Sequence, residues 1–129
     1  MRKLYSKSHL TKIGDDRRGL IFRASLVDRE YLFVEMRETS LRGGHYHSRE
    51  TFHLVVQGRI RFELMDSISR RKRQVTAGPM DIVRVRARVA HLLVAMEDSI
   101  FIEPVAGHGR TVNFDPQRAR VVRFIRSSE

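Results

Sequence analysis

The chain has 129 residues, 41% of them apolar and spread along its length, with no cysteine and a formal charge of +10 from 21 arginines and four lysines against 15 carboxylates. That length suits one packed domain, 1–129, and is short for two. Without cysteine there are no disulfides or thiolate ligands, so metal chemistry here must use His, Asp or Glu; with no apolar run long enough to cross a bilayer, and a start at Met1–Tyr5 lacking the apolar stretch of a secretory signal, membrane contact is not expected and a cytoplasmic location is.

Short segments rich in Val, Ile, Phe and Tyr, parted by polar or glycine-bearing turns, predict an all-β domain. Strands are expected near Gly19–Ala24, Tyr31–Glu38, Thr51–Gln57, Arg59–Met65, Arg73–Ala77, Asp81–Arg86, His91–Glu97, Ile100–Pro104 and Val121–Ile125, enough to close a barrel or sandwich. Gln57-Gly58 reads as the tight turn of a hairpin. After it Ile60, Phe62 and Leu64 alternate with Arg59, Arg61 and Glu63, the pattern of a sheet with one buried and one wet face. From Gly107 to Gln117, Gly109 and the Asp115-Pro116 step suggest an extended loop closing over the domain before a last strand. No internal repeat or linker interrupts the chain.

The positive charge admits several uses. Arginine forks pair well with phosphates, which makes nucleic acid or an anionic small molecule a possible partner, while ion-pair networks need no partner at all. The basic residues are scattered and not interleaved with aromatics, so nucleic-acid contact is disfavoured, though not excluded. The one dense run, Arg70-Arg71-Lys72-Arg73, falls where a solvated loop between strands is expected.

His45 and His47 lie one residue apart, and in an extended chain side chains two apart project from one face, so both imidazoles can reach one ion. The preceding Arg42-Gly43-Gly44 suits a tight bend. Counting on by twos places Thr51 and His53 on the histidine side and Glu50 on the other. His91 opens a later apolar strand with Leu93 and Ala95 on its face. Three neutral imidazoles around an ion leave positions open for water and substrate, as in a reactive site. His53 can equally be a packed core residue. Glu103 fits either a pocket carboxylate or an exposed edge position, and His9 and His108 read as surface residues.

The stretch from Gly44 through His45-Tyr46-His47 to Thr51, Gln57 and Gly58 resembles the first motif of the cupins, in which two histidines one residue apart are followed by a glutamate and a turn glycine. Met80 to Ala95 resembles the second motif, with His91 in the place of its histidine. The likeness covers about Tyr31 to Glu103 and implies a double-stranded β-helix, or jelly-roll barrel. It implies a divalent transition metal (Zn, Fe, Ni or Mn) at His45, His47 and His91, with Thr51 where the family carries its glutamate. A threonine hydroxyl is a poor ligand. Such a site binds metal through three histidines, recruits Glu50 through a bulge, or binds none. In the second motif Met80, Arg86 and Arg88 replace the family's glycine, proline and glycine, and Ala95 its asparagine, which leaves the loop before His91 undefined.

The lead-in to the first motif is most similar to small sugar-nucleotide cupins, ketoisomerases and capsular-polysaccharide enzymes among them. That resemblance implies an isomerase or epimerase acting on a small molecule, an anionic one among the candidates. Either a metal or histidine acid–base chemistry would serve, with His53 and Glu50 beside the metal positions as catalytic candidates. A non-catalytic ligand-binding or sensing barrel is the alternative from another class. Small cupins usually pair, and so many strands leave edges to cover, so a homodimer is expected.

Overall fold

The protein is described by a computed structural model covering residues 9–127. Eleven strands and one helix follow in order: β1 Leu10–Asp16, β2 Gly19–Leu26, β3 Arg29–Met36, β4 Leu41–His47, β5 Thr51–Gln57, β6 Ile60–Asp66, β7 Lys72–Ala77, β8 Ile82–Val85, β9 Val89–Ala95, β10 Ser99–Pro104, β11 Thr111–Asn113 and α1 Asp115–Arg126. They form two antiparallel sheets, β1-β2-β3-β10-β5-β8 and β11-β4-β9-β6-β7, the all-β jelly roll expected from the strand-rich sequence.

Alternation decides what lies between the sheets. In β5, Thr51, His53 and Val55 are buried while Phe52 and Leu54 are only partly so; in β6, Ile60 and Phe62 are buried. With Val34 and Met36 of β3, Val83 and Val85 of β8, Leu93 and Ala95 of β9, and Phe101 of β10, they make one core. Burying side chains of this size stabilises by roughly 1.5–3 kcal/mol each, before the entropy of ordering is subtracted.

Several local expectations are corrected. The Gln57-Gly58 turn is tight, but no hairpin: β5 pairs with β8 and β10, whereas β6 pairs with β7 and β9, so the turn carries the chain from one sheet to the other. Gly58 has φ +87°, and a Cβ there would lie about 2.2 Å from the Ser99 hydroxyl, so only glycine fits. Likewise β4 and β5 belong to different sheets, and Ser48–Glu50 is the crossing. The count by twos from His47 to His53 is therefore broken, yet both strands face their histidines inward. The expected strand at Val121–Ile125 is part of helix α1. Asp115 and Pro116 open that helix rather than a loop, and Phe114, Gln117 and Val121, spaced by three and four, form its buried stripe. Gln117 Nε2 donates to the Glu63 carbonyl and Arg118 Nη1 to that of Gly43, which fixes the helix against the β4–β9–β6 sheet. Strands β1, β4 and β11 are missing from the expected list: β1 and β11 are mostly exposed and carry little burial pattern, β11 lies within the expected Gly107–Gln117 loop, and β4 is glycine-rich.

Where the second stretch departs from the motif it resembles, the backbone keeps a glycine-like shape. Met80 and Arg88, standing in for glycines, adopt φ of +71° and +66°. Such a conformation costs a residue with a Cβ about 1–2 kcal/mol. It is held at Arg88 by the backbone N–H, which donates to the His47 carbonyl at 2.8 Å, and at Met80 by a bond to the Val55 carbonyl.

Two opposite substitutions test this. Gly44, at φ +81°, has room for no Cβ: one would sit about 2.8 Å from Arg118 Cα. Gly44→Ala is expected to cost about 2–3 kcal/mol, read as a lowered denaturation midpoint. Arg88→Gly is expected to be neutral or to stabilise by up to about 1 kcal/mol, because relief of the left-handed strain offsets the added entropy of glycine.

Candidate metal centre

The centre is assembled by the pairing of β4 with β9, which sets His45 opposite His91. The register slips between Gly43 and His45, so a bulge lies immediately before the histidines. Gly43 has φ +88°, and a Cβ there would fall about 2.5 Å from the His91 carbonyl. The two glycines thus let β4 approach β9 and α1 closely while turning the following side chains inward. Ring centroids of His45 and His47 are 4.9 Å apart, of His45 and His91 4.8 Å, and of His47 and His91 5.1 Å. One ligand nitrogen from each lies within 4.8 Å of the others.

The hydrogen bonds of these rings bear on whether they suit a metal. His47 Nδ1 is 2.9 Å from the Thr111 hydroxyl on β11, and His91 Nδ1 makes a long 3.4 Å contact with the Val89 carbonyl. His91 Nε2 is fully buried and has no partner. An imidazole held through Nδ1 keeps its Nε2 lone pair for a ligand, the usual arrangement of metal-binding histidines. An orphaned buried nitrogen beside two other imidazoles is the donor set that a cation would use.

Burial also keeps the rings neutral. Desolvation pulls His45 and His47 down from 6.5 to about 4 each; Glu103 opposes the fall, while neighbouring imidazoles and, for His45, Arg118 add to it. His91, more deeply buried, is lowered further, again first by desolvation and then by His53, His45 and His47. A neutral imidazole is the form that binds metal.

Beside the triad stands a second pair. His53 Nε2 lies 2.9 Å from Glu103 Oε2, with the His53 side chain 2% exposed and that of Glu103 28% exposed. The His53 ring packs against Phe62 and Phe101 and lies 5.3 Å from His91. Burial pushes the Glu103 carboxyl up, but the His53 hydrogen bond and the surrounding imidazoles outweigh it and hold the group below its usual value. Both readings of His53 are therefore half right: the ring is packed in the core and also lines the cavity. The exposed-edge reading of Glu103 is corrected, since alternation along β10 could not show that β5 would bring His53 to it.

The cavity itself is small, about 210 Å³, and is lined by His45, His53, His91 and Glu103 with Arg18, Arg42 and Arg118. Arg42 is 5% exposed and donates to the Glu35 and Gly19 carbonyls; burial lowers it to about 10, so it stays charged at neutral pH. Thr51 is buried in β5 opposite Val85. Glu50 is elsewhere: its side chain is 44% exposed and paired with Arg84 at 2.7 Å, so the bulge that would recruit it is not present. His108, expected at the surface, is half-buried with its ring 4.5 Å from that of His47. No motif announced it, because the loop it lies on returns to the site only through β11.

The neutral rings give a definite pH dependence. His45 and His47 bind protons more weakly in the folded protein than in the unfolded chain, so their contribution is fully present above about pH 6.5 and is lost as pH falls toward about 4. Metal-free protein is expected to lose thermal stability across that window. His45→Asn should flatten the slope, as followed by calorimetry at fixed ionic strength.

No protein-family model and no curated protein matches the chain. Solved structures do. The chain is similar to the capsular polysaccharide assembling protein CapF from Staphylococcus aureus, with 17% identity and a TM-score of 0.69 over 81% of this chain and 32% of that one. It is similar to Bacillus subtilis oxalate decarboxylase, in a structure described for its Mn(II) centres, with 12% identity and a TM-score of 0.68 over 88% of this chain and 33% of that one. A Lactobacillus farciminis oxalate decarboxylase in complex with formate gives 17% identity and 0.64 over 86% and 35%. The chain spans about a third of the length of each. These likenesses establish the architecture: the chain has the cupin fold, and three histidines able to hold a metal ion lie inside its barrel.

Proposed function

We propose that the protein is a metal-dependent cupin that moves a proton on a small anionic molecule, an isomerase or epimerase in the broad sense. The observation carrying this reading is a cavity of about 210 Å³ that brings His45 and His91, two of the three clustered imidazoles, together with the His53–Glu103 pair and three arginines. His45, His47 and His91 would hold a divalent transition ion, manganese being favoured by the likeness to oxalate decarboxylase. When bound, the ion supplies Lewis acidity, polarising an oxygen of the substrate. With Thr51 in place of a carboxylate, the protein ligands are three neutral groups, and the ion keeps its full charge.

The chain's own residues do the rest. His53 donates Nε2–H to Glu103 Oε2, which leaves Glu103 Oε1 to take a proton from a bound substrate and return it. Arg118, whose Nη1 donates to the Gly43 carbonyl, and the fixed charge of Arg42 favour an anion at the same mouth. A cavity this size excludes a whole nucleotide sugar from its interior. Either a small keto or hydroxy acid enters, or only the reacting end of something larger.

Metal content of the purified protein, measured by mass spectrometry, is the test. About one transition ion per chain is expected, lost when His45, His47 and His91 are replaced by alanine. Glu103→Gln should retain the ion and lower turnover of a responding small acid by about 10²–10⁴-fold. Wild-type protein that holds no metal after reconstitution would overturn the metal reading and leave acid–base chemistry at His53 or plain ligand binding.

A further inference from the structure

The dense run Arg70–Arg73, read from sequence as a solvated loop, has a definite place in the fold. Strand β8 ends the six-stranded sheet and β7 ends the five-stranded one. Between these two edges lies a cleft of about 910 Å³, whose lining includes Arg71, Lys72 and Arg73 on one lip and Arg84 and Arg86 on the other. It also holds two carboxylates, Glu50 and Asp66. Glu50 holds Arg84 at 2.7 Å, and Asp66 accepts the backbone N–H groups of Ile68 and Ser69. Among the described residues no carboxylate lies within ion-pair distance of Arg71, Lys72, Arg73 or Arg86. Arg70 alone turns away, with its guanidinium 5.0 Å over the Phe114 ring.

We propose that the cleft between the β7 and β8 edges binds an oligophosphate group, such as inorganic pyrophosphate or the phosphates of a nucleoside di- or triphosphate. With Arg84, the cations Arg71, Lys72, Arg73 and Arg86 outnumber Glu50 and Asp66 in the lining by three, which calls for several negative charges close together. Arginine forks match phosphate oxygens bidentately, and the neighbouring lysine adds a point charge. Lysine and arginine on an edge strand also discourage sheet-to-sheet pairing. That role alone does not require both edges to turn their unpaired charges onto the same cleft. The lining contains Leu64, Val85 and Val89 but no aromatic ring, so nothing offers the stacking that a single-stranded nucleic acid uses. The cleft shares no lining residue with the histidine cavity, and the inference stands whether or not that cavity binds metal.

Titration calorimetry at low salt with pyrophosphate, triphosphate, ADP and a short single-stranded oligonucleotide tests it. One saturable site for the oligophosphates is expected, weakened roughly tenfold or more by Arg71→Ala/Arg73→Ala and, separately, by Arg86→Gln. Arg123→Ala/Arg126→Ala on the exposed end of α1 removes equal charge elsewhere and should change affinity by less than about twofold. ADP binding like pyrophosphate would mark the phosphates as the recognised group; tighter ADP binding would add the nucleoside. No saturable binding, equal weakening by the helix variant, or binding of the oligonucleotide alone would overturn the proposal. These side chains are exposed, so the variants should fold, which circular dichroism checks.

Discussion

The site depends on one backbone constraint, the bulged pairing of β4 with β9. Had the register run evenly, His45 and His91 would still neighbour one another, but the side chains of β4 would alternate differently beyond the bulge. Gly43 and Gly44 make the slip possible, one because the His91 carbonyl occupies the place of a Cβ, the other because helix α1 does. The helix in turn carries Arg118, whose guanidinium closes back on the Gly43 carbonyl. Strand register, helix docking and the charge at the cavity mouth are therefore one arrangement. A change at either glycine propagates to all three.

Gathering so many imidazoles has an electrostatic consequence. The rings of His45, His47 and His91 are about 5 Å apart and that of His53 is 5.3 Å from His91, and charging one disfavours charging the next. Desolvation acts in the same direction. A cation that took the lone pairs instead of protons would lift both effects, and its binding would then be linked to folding stability. Among the described residues Glu103 is the carboxylate that lines the histidine cavity, and its hydrogen bond to His53 joins it to the pair rather than to the triad.

Much of this was legible beforehand, for identifiable reasons. Alternation in β5 and β6 and the His-X-His spacing are local, and local patterns survive into the fold. What escaped is what only tertiary contact creates. The run Val121–Ile125 is rich in β-branched residues and reads as strand until Phe114, Gln117 and Val121 are counted by threes and fours from the Asp115-Pro116 start. The turn at Gly58 was recognised but not its partners, since a tight turn in a jelly roll can change sheets as readily as it closes a hairpin. Glu103 and His108 reach the centre from β10 and from the loop before β11, about 50 to 60 residues beyond His53 and His47, and no spacing rule connects them.

The departures from the cupin motifs then take on a common sense. Met80 and Arg88 keep the positive φ of the glycines they replace, so the loop before His91 is specified by its hydrogen bonds, and residue identity there is free to vary at a small cost in strain. Thr51 is a different kind of departure, because it keeps the inward position and loses the charge. In the proposed reading that loss is functional. A carboxylate ligand would neutralise part of the ion's charge and compete with an incoming anion for it. Three neutral imidazoles would leave an ion's charge uncompensated beside Arg42 and Arg118, and Glu103, held by His53, would be free to exchange a proton.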